Sequence, residues 1–216
     1  MSAPSHTSGR FLLGLAVPYA VLWALLAWHP NDRHDWVLEN VLIVAAIALL
    51  AASWRVFPLQ RASYVLIAIF LTLHTVGAHY TYAEVPYDAW FRRLFGTGLN
   101  ELLGWQRNNF DRVVHFAYGL LLAVPVRELF VRVVKVRGFW SYFLPLDLTM
   151  STSMLYELIE WAVAMLFGGD LGMAYLGTQG DIWDAHKDMA LASLGALLTM
   201  LLVAAINSRK APTAAR

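Results

Sequence analysis

The stretch DMALASLGALLTMLLVAAI, residues 188–206, decides the fold class of this chain. After Asp188 it contains no charged side chain, and its length is close to the roughly 20 residues that a helix needs to cross the hydrocarbon core of a bilayer. Irregular backbone facing lipid would leave its N–H and C=O groups without hydrogen bonds. The stretch therefore predicts a transmembrane helix near the end of the chain.

Five further segments have the same apolar character, which predicts an all-α bundle of about six transmembrane helices. The six predicted spans are 11–28, 37–53, 62–82, 111–131, 148–167 and 188–206. Of the 216 residues, 59% are hydrophobic and 14% are charged, a composition far too apolar for an ordinary soluble domain. We expect one membrane domain, residues 10–207, between disordered tails at 1–9 and 208–216.

The basic residues are unevenly distributed around these spans. If the N-terminus is cytoplasmic, ten of the 16 Lys and Arg residues fall in inner segments and six in outer ones. Cytoplasmic segments are enriched in Lys and Arg, so the bias predicts that both termini lie on the cytoplasmic side of the membrane. The longest outer connection places four large apolar side chains beside two arginines: Trp90, Phe91, Leu94 and Phe95. It predicts either a short helix lying in the membrane interface or a loop anchored by its aromatic side chains.

The residue content excludes several functions. The chain has no cysteine, which rules out disulfides, zinc–thiolate sites, iron–sulfur ligation and cysteine nucleophiles. Any bound metal must therefore use oxygen or imidazole ligands. The net charge of +1 gives no electrostatic reason to expect a nucleic-acid partner, and a membrane lipid or lipid-linked molecule is the expected one.

Glu157 and Glu160 lie near the middle of the fifth predicted span. A carboxylate at the centre of a span costs on the order of 2.5–3.5 kcal/mol, so it normally faces the bundle interior, pairs, or binds an ion. Three residues apart, the two share one helix face. Two ionised carboxylates so close would repel each other unless one takes a proton or a cation lies nearby. The pattern indicates a functional site; the alternative is a packing pair neutralised by Arg or His from a neighbouring helix.

Asp111 and His115 stand four residues apart at the start of the fourth predicted span. A carboxylate at this spacing can orient an imidazole or bind a metal ion together with it. Asn108 or Asn109 could cap this helix, whose dipole favours an acid in its first turn. Taken alone, the pair fits a first-turn acid and a polar interhelical contact. Together with the acids of the other spans it predicts a catalytic pair.

A glycine-rich segment, 168–181, leads into the last span. Its five glycines permit tight turns and positive φ angles, as an ordered loop folded over a site requires. Asp181, Asp184 and Asp188 follow at i, i+3 and i+7, so a helix beginning near Asp181 would place all three on one face. Part of this row fits ordinary capping of a helix N-terminus.

In the predicted topology, all of these side chains lie between the middle of the membrane and its outer surface. Side chains without a shared role would be scattered over both leaflets, so the pattern predicts one pocket that could hold a divalent cation. The candidate catalytic residues are Asp111, His115, Glu157 and Glu160. The candidate metal ligands are Glu157, Glu160, Asp184 and Asp188. The candidate substrate contacts are His74, His79, Asp170, Gln179 and Asp181.

One motif carries a resemblance to a known family. The run Tyr-Leu-Gly-Thr-Gln-Gly-Asp at 175–181 is followed by Trp-Asp-Ala-His-Lys-Asp-Met at 183–189, and Glu157 precedes both. With the rest of the block 111–195, this motif closely resembles the uncharacterised bacterial inner-membrane family typified by YjdF. The resemblance covers most of the chain, including His74 and His79 of the third span. It implies a multi-pass membrane protein and brings no established biochemical activity.

A more distant likeness is to the VanZ-like membrane family, which is linked to glycopeptide-antibiotic tolerance at the cell envelope. That family has an Asp-basic pair before His-Phe, a glutamate on the next span, and acidic positions leading into a glycine-containing last helix. This chain differs in having Trp161 and no glutamine after the glutamates, and Asp188 where that family tends to have asparagine. The matching positions here are Asp111-Arg112, His115-Phe116, Glu157 or Glu160, Asp184, Asp188 and Gly195.

Three functions fit these residues. The first is an enzyme on a lipid or lipid-linked envelope substrate, with a divalent cation held by the acids, His115 as ligand or general base, and Asp111 orienting it. The second is a proton- or ion-coupled transporter, in which intramembrane carboxylates and histidines carry the ion. The third is a non-catalytic assembly or sensing subunit whose polar residues hold helices together. Haem ligation by the histidines is a further alternative that no spacing specifically supports.

Overall fold

The computed structural model describes residues 8–210, apart from the side chains of four of them, and within that range it contains helices and no strand. The side chains outside the description are those of Asp170, Leu171, Ala174 and Lys210. The long helices are α1 (Gly9–Leu26), α2 (Arg33–Ser53), α3 (Arg61–His79), α6 (Phe110–Leu129), α7 (Trp140–Phe167) and α9 (Asp184–Lys210). The short ones are α4 (Tyr87–Phe95), α5 (Leu99–Leu103) and α8 (Gly169–Leu176). The predicted all-α fold class is confirmed.

The chain ends differ slightly from the predicted tails. Residues 1–7 and 211–216 lie outside the described part, whereas α1 already begins at Gly9 and α9 continues to Lys210. Residues 208–210, expected in a disordered tail, are therefore helical. Ser8 starts α1 because its hydroxyl accepts a hydrogen bond from the N–H of Phe11 at 3.3 Å.

Within residues 8–210, four helices are long and apolar enough to cross a membrane by length and composition: α1, α2, α3, and α9 up to Arg209. α6 and α7, with 20 and 28 residues, lie at the two remaining predicted spans. α6 carries Asp111 and Glu128 near its two ends, and α7 carries Glu157 and Glu160 within its length. About six spans therefore stays a prediction, because these charged side chains lower the apolar character of α6 and α7.

The short helix α4 lies in the long connection between α3 and α6. Its Leu94 and Phe95 are 77% and 65% exposed, and Gly96 ends it in a left-handed conformation at φ 81°. Of the two predictions for this segment, the helix is confirmed. Whether it lies in a membrane interface stays a prediction.

The most extensive helix contact in the molecule joins α6 to α9. Gly119 of α6 makes it possible, because a Cβ added there would lie only 2.7 Å from the backbone nitrogen of Ala196 and 2.8 Å from the carbonyl carbon of Ala192. Both alanines are completely buried. His115 lies one turn before Gly119, and Asp188 lies one turn before Ala192. The glycine contact therefore places these two side chains next to each other.

The remaining packing leaves some of the helices that border the cavity, α2 and α7 among them, without close contact. α3 packs against α1, α2 and α6, while α7 packs against α6, α8 and α9. α2 packs on α3 and touches α8. In the described part of the chain, α2 and α7 do not pack closely on each other, although both border the same cavity.

A buried carboxylate, Glu128, lies at the end of the bundle opposite to His115 and Asp188. Glu128 accepts hydrogen bonds from the backbone N–H of Gln60 at 2.8 Å and from the Ser63 hydroxyl at 2.6 Å, and it pairs with Arg132. Arg132 also donates to the carbonyl of Pro58 at 2.9 Å. This network joins the α2–α3 connection to the end of α6, and every charge in it has a partner.

Candidate functional site

One end of the bundle is formed by the starts of α2, α6 and α9 and by the ends of α3 and α7. We call it the site end. A cavity of about 360 Å³ opens between these helices and α8. It combines polar side chains at the site end with apolar side chains farther along the helices. The polar groups that line it are Asp35, Glu39, His74, Tyr82, Asp111, His115, Tyr156, Glu160 and Tyr175, with Thr81, Tyr118, Thr152 and Ser153.

His115 is the centre of the acidic cluster. Its Nε2 lies 3.4 Å from Oδ1 of Asp111 and 3.5 Å from Oε1 of Glu157. Asp111, His115 and Asp188 each present one potential ligand atom, and these three atoms lie within 4.8 Å of one another. The structure thus brings together both predicted members of the catalytic pair, one predicted glutamate and one predicted metal ligand.

Two carboxylate oxygens in this cluster are buried without a hydrogen bond. Oδ1 of Asp188, a residue that is 2% exposed, has no hydrogen-bond partner among the described residues, and neither has Oε1 of Glu157. A buried charge normally has a partner, because leaving water without one is costly. Ligands at 2.0–2.2 Å from one cation lie up to about 4.4 Å apart, so small side-chain rotations would let the three ligand atoms surround a metal ion. Asp111, His115 and Asp188 are the residues that could hold one.

Asp184 has a different environment from the other predicted metal ligands. Its carboxylate lies 2.5 Å from Nη1 of Arg107 and 3.1 Å from Nη2 of Arg112. Two guanidinium groups therefore already balance its charge. Glu160 lines the cavity, and Glu157 lies beside His115, but Asp184 acts as an anchor for two arginines.

These arginines attach the glycine-rich loop to the start of α6. Arg107 donates to the carbonyl of Thr178 at 2.8 Å, and Arg112 pairs with Asp181 at 2.5 Å. Gln179 and Asn108 exchange two hydrogen bonds, of 3.1 and 3.0 Å. The loop is consequently fixed over the site end.

Asp181 belongs to this loop and not to the last helix. Its carboxylate accepts the N–H of Trp183 at 3.0 Å, and its carbonyl accepts the N–H of Asp184, which forms a turn before α9. The predicted start of the helix near Asp181 is therefore three residues too early. Lys187, the Trp183 N–H and Arg112 hold the pKa of Asp181 well below its usual range. With Gln179, it holds the loop at the surface and does not line the cavity.

A second chain of polar groups crosses the cavity. The hydroxyl of Tyr82 bonds to Nδ1 of His74, whose Nε2 lies 3.1 Å from the carbonyl of Glu39 and 3.8 Å from its carboxylate. Tyr156 donates to the same carboxylate at 3.3 Å. Tyr175 of α8 lines the same cavity, and its pKa is raised mainly by burial and next by the nearby carboxylate of Glu39. Tyr82, His74, Glu39 and Tyr156 thus connect α3 and α2 to α7.

The other predicted substrate contacts divide into two groups. His74 lines the cavity, whereas His79 bonds to the carbonyl of Leu26 at 2.6 Å and packs on Tyr80, away from the cavity wall. The side chain of Asp170 lies outside the described part of the chain. Of the five predicted contacts, the structure places His74 at the cavity.

Several site residues were absent from the sequence-based set. Glu39 had the same signal as Glu157, since it is a carboxylate inside a predicted span, and Asp35 lies one turn before it. The tyrosines had no signal, because aromatic residues are common throughout membrane proteins. The residues missed are Asp35, Glu39, Tyr82, Arg107, Arg112, Tyr156 and Tyr175.

The fold and the cavity define a multi-pass helical membrane protein with a buried acid–histidine site. The family described as "Predicted membrane protein (DUF2238)" matches residues 11–209, and the chain belongs to this family. It is 39% identical over 183 residues to the inner membrane protein YjdF of Escherichia coli (strain K12), which is 83% of this chain and 82% of that protein. No solved structure matches the chain.

These matches confirm the resemblance to the YjdF-type family and support a multi-pass location in the inner membrane. They do not bear on the VanZ-like resemblance, which stays a prediction. The cytoplasmic placement of both termini also stays a prediction, since the matches carry no orientation.

Proposed function

We propose that the chain is a membrane-embedded enzyme that uses a divalent cation, held by Asp111, His115 and Asp188, to act on a lipid or lipid-linked substrate. The observation that carries the proposal is the carboxylate of Asp188: one of its oxygens lies within 4.8 Å of ligand atoms of His115 and Asp111, and its Oδ1 is buried without a hydrogen bond among the described residues. A bound cation would give that oxygen its missing partner.

The charge of the cluster supports a cation as well. Asp111, Glu157 and Asp188 surround one imidazole, and the two nearest arginines are already paired with Asp184 and Asp181. Three carboxylates facing one histidine leave a local excess of negative charge in a low-dielectric region, where repulsion is strong. A mixed set of imidazole and carboxylate ligands suits Zn²⁺ or Mn²⁺ better than Mg²⁺, which prefers oxygen ligands and water.

Glu157 is the best placed proton carrier of the proposed enzyme. Its Oε1 lies beside His115 and has no hydrogen bond. In the reaction we infer, Glu157 takes a proton from a water molecule or a substrate hydroxyl as that oxygen attacks, and returns the proton to the oxygen of the leaving group. A cation held by Asp111, His115 and Asp188 would supply positive charge beside the attacked group.

The experiment separates cation binding from chemistry. Wild type, Asp188→Asn and Glu157→Gln are purified in mild detergent, incubated with Zn²⁺ or Mn²⁺, and analysed for bound metal. The lipids of membranes containing each variant are compared by mass spectrometry. Asp147→Asn, at an exposed carboxylate in the same helix as Glu157, is the matched control.

The proposal predicts a different defect for each variant. Asp188→Asn should bind the metal at least about tenfold more weakly, because it loses a charged ligand. Glu157→Gln should retain the metal and lose the lipid change that wild type produces, and Asp147→Asn should match wild type in both. Unchanged metal binding in Asp188→Asn, or identical lipids with wild type and Glu157→Gln, would refute the proposal. Proton-driven flux in proteoliposomes that is lost in Glu160→Gln would replace it with a transporter.

A further inference from the structure

The cavity changes from polar to apolar along its length. On α6 its wall begins with Asp111 and His115 and continues through Val114 and Tyr118 to Leu122. At 1.5 Å per residue, Asp111 and Leu122 are about 16 Å apart along the helix. On α2 the same order is repeated from two acids to two apolar residues: Asp35, Glu39, Ile43, Ala46. Two helices that run in the same direction from the site end thus show the same gradient.

We call the inner part of this cavity the apolar chamber and define it by Ile43, Ala46, Phe70, Leu71 and Leu122. Three hydroxyls also line this part of the cavity, but those of Tyr118 and Thr152 bond to each other at 2.6 Å, so water there would find few free partners besides Ser153. A hydrocarbon chain suits it better, because burial of apolar surface is favourable by about 0.8 kcal/mol per methylene, or about fourfold in binding. The carboxylates at the site end, in contrast, need hydrogen-bond donors. An amphiphile satisfies both ends at once.

The chamber is open toward the bilayer between α2 and α7. Leu42 of α2 and Leu155 and Ile159 of α7 line the cavity, yet they are 45%, 53% and 45% exposed. Side chains that face both the cavity and the outside form the edge of an opening, and α2 and α7 are not a packed pair in the described structure. We call this gap the α2–α7 opening. The hydrogen bond from Tyr156 to Glu39 crosses between the two helices at its polar end.

We propose that the apolar chamber binds one hydrocarbon chain of a membrane lipid, which enters from the bilayer through the α2–α7 opening. The lipid's headgroup then lies among the acids of the site end. This inference rests on the proposed function for the reaction at the headgroup, but chain binding does not depend on it. A volume of about 360 Å³ is at the low end for ligand pockets, so it accommodates one chain with part of the headgroup and leaves the rest of the lipid in the bilayer.

The cavity wall also restricts the headgroup. Among its described residues there are four carboxylates, two histidines and several hydroxyls, but no Lys or Arg. Carboxylates accept hydrogen bonds and do not donate them when ionised. The headgroup that fits is therefore one that presents hydrogen-bond donors, hydroxyl or ammonium, to Glu39 and Glu160.

A photoactivatable long-chain alcohol with a diazirine in its chain tests the proposal. The protein is reconstituted into vesicles of phosphatidylethanolamine and phosphatidylglycerol, irradiated with the probe, and its adducts are mapped by mass spectrometry. Adducts are expected on the chamber-facing residues of α2, α3 and α6, and an unlabelled alcohol of the same length should compete for them.

Two neighbouring alanines give a matched pair of variants. Ala46 faces the chamber, whereas Ala45 is exposed and does not line it. Ala46→Trp occupies the space of several methylenes, so chamber adducts should fall by about tenfold or more, while Ala45→Trp should leave them unchanged. Because Ala46→Trp shortens the chamber, a shorter-chain probe should restore its labelling, which a misfolded variant could not show.

The outcomes separate this inference from the proposed function. Chamber adducts that persist in Asp188→Asn after metal is lost support chain binding independently of catalysis. Adducts confined to the outward faces of the helices, or equal labelling of Ala46→Trp and wild type, would overturn the inference even if metal binding and lipid chemistry hold. Chamber adducts in a protein that binds no metal would leave chain binding intact and remove the enzyme.

Discussion

The contact between α6 and α9 makes a sharp prediction for Gly119→Ala. A methyl group at this position would overlap the backbone of Ala192 and Ala196, which, unlike a side chain, cannot rotate away. To restore an ordinary contact of 3.4 Å from the 2.7 Å that separates the added Cβ from Ala196 N, the helices must move apart locally by more than half an ångström. The substitution should therefore disturb both packing and the site.

The expected magnitude follows from two opposing effects. Overpacking a well-packed contact costs about 1–3 kcal/mol, and a rigid backbone neighbour places this case in the upper half of that range. The better helix propensity of alanine returns up to about 1 kcal/mol. The net loss of about 1–2 kcal/mol corresponds to a fall in Tm of about 2–8 °C for a chain of this size. Since metal sites require ligand distances within about 0.2 Å, separation of His115 from Asp188 should also weaken metal binding by about tenfold.

Gly14→Ala is the control for this prediction. Gly14 lies in α1, where an added Cβ would meet no atom within 4 Å, so the propensity gain is the main effect. Its Tm should stay unchanged or rise by up to about 4 °C. Thermal unfolding in detergent and metal titration measure both variants. If Gly119→Ala is as stable as Gly14→Ala and binds metal like wild type, then close approach of α6 and α9 does not position the site.

Two further predictions concern buried acids that have partners. Asp184→Ala leaves Arg107 and Arg112 without their shared carboxylate; loss of one member of a buried pair costs about 3–5 kcal/mol, so Tm should fall by about 6–20 °C. Asp181→Ala, in a more exposed pair, should lower Tm less, and equal effects would argue against the anchoring role of Asp184. Glu128→Ala should lower Tm by a similar 6–20 °C while metal binding of the folded protein stays normal. Metal loss in a folded Glu128→Ala would contradict its purely structural role.

The fold was predictable from the sequence because the bilayer restricts the choices. An apolar run such as 188–206 can satisfy its backbone only as a helix, and the six long helices lie at the six predicted spans. Boundaries depended on local contacts that the pattern does not contain. α9 begins after Asp181 because that residue's carboxylate accepts the N–H of Trp183 and forms a turn.

The site was only partly predictable, because pairing between helices is not visible in a single sequence. The i, i+4 spacing of Asp111 and His115 indicated their contact, which a helix alone provides. The proximity of Asp188 depends on Gly119 and on the register of α6 against α9. The same spacing rules gave no reason to separate Asp184 from Asp188, although Arg107, just before α6, and Arg112, in its first turn, bind Asp184 and not Asp188.

Two buried acids of this chain, Glu128 and Asp184, show how a carboxylate with a structural role is paired. Glu128 has a backbone N–H, a hydroxyl and an arginine as partners, and Asp184 has two arginines. Asp188 is buried as deeply as Asp184 and lies one helical turn from it, yet its Oδ1 has no hydrogen bond. Under the proposed function, a cation would be the partner of that oxygen, and a substrate in the polar part of the cavity would meet the cation there.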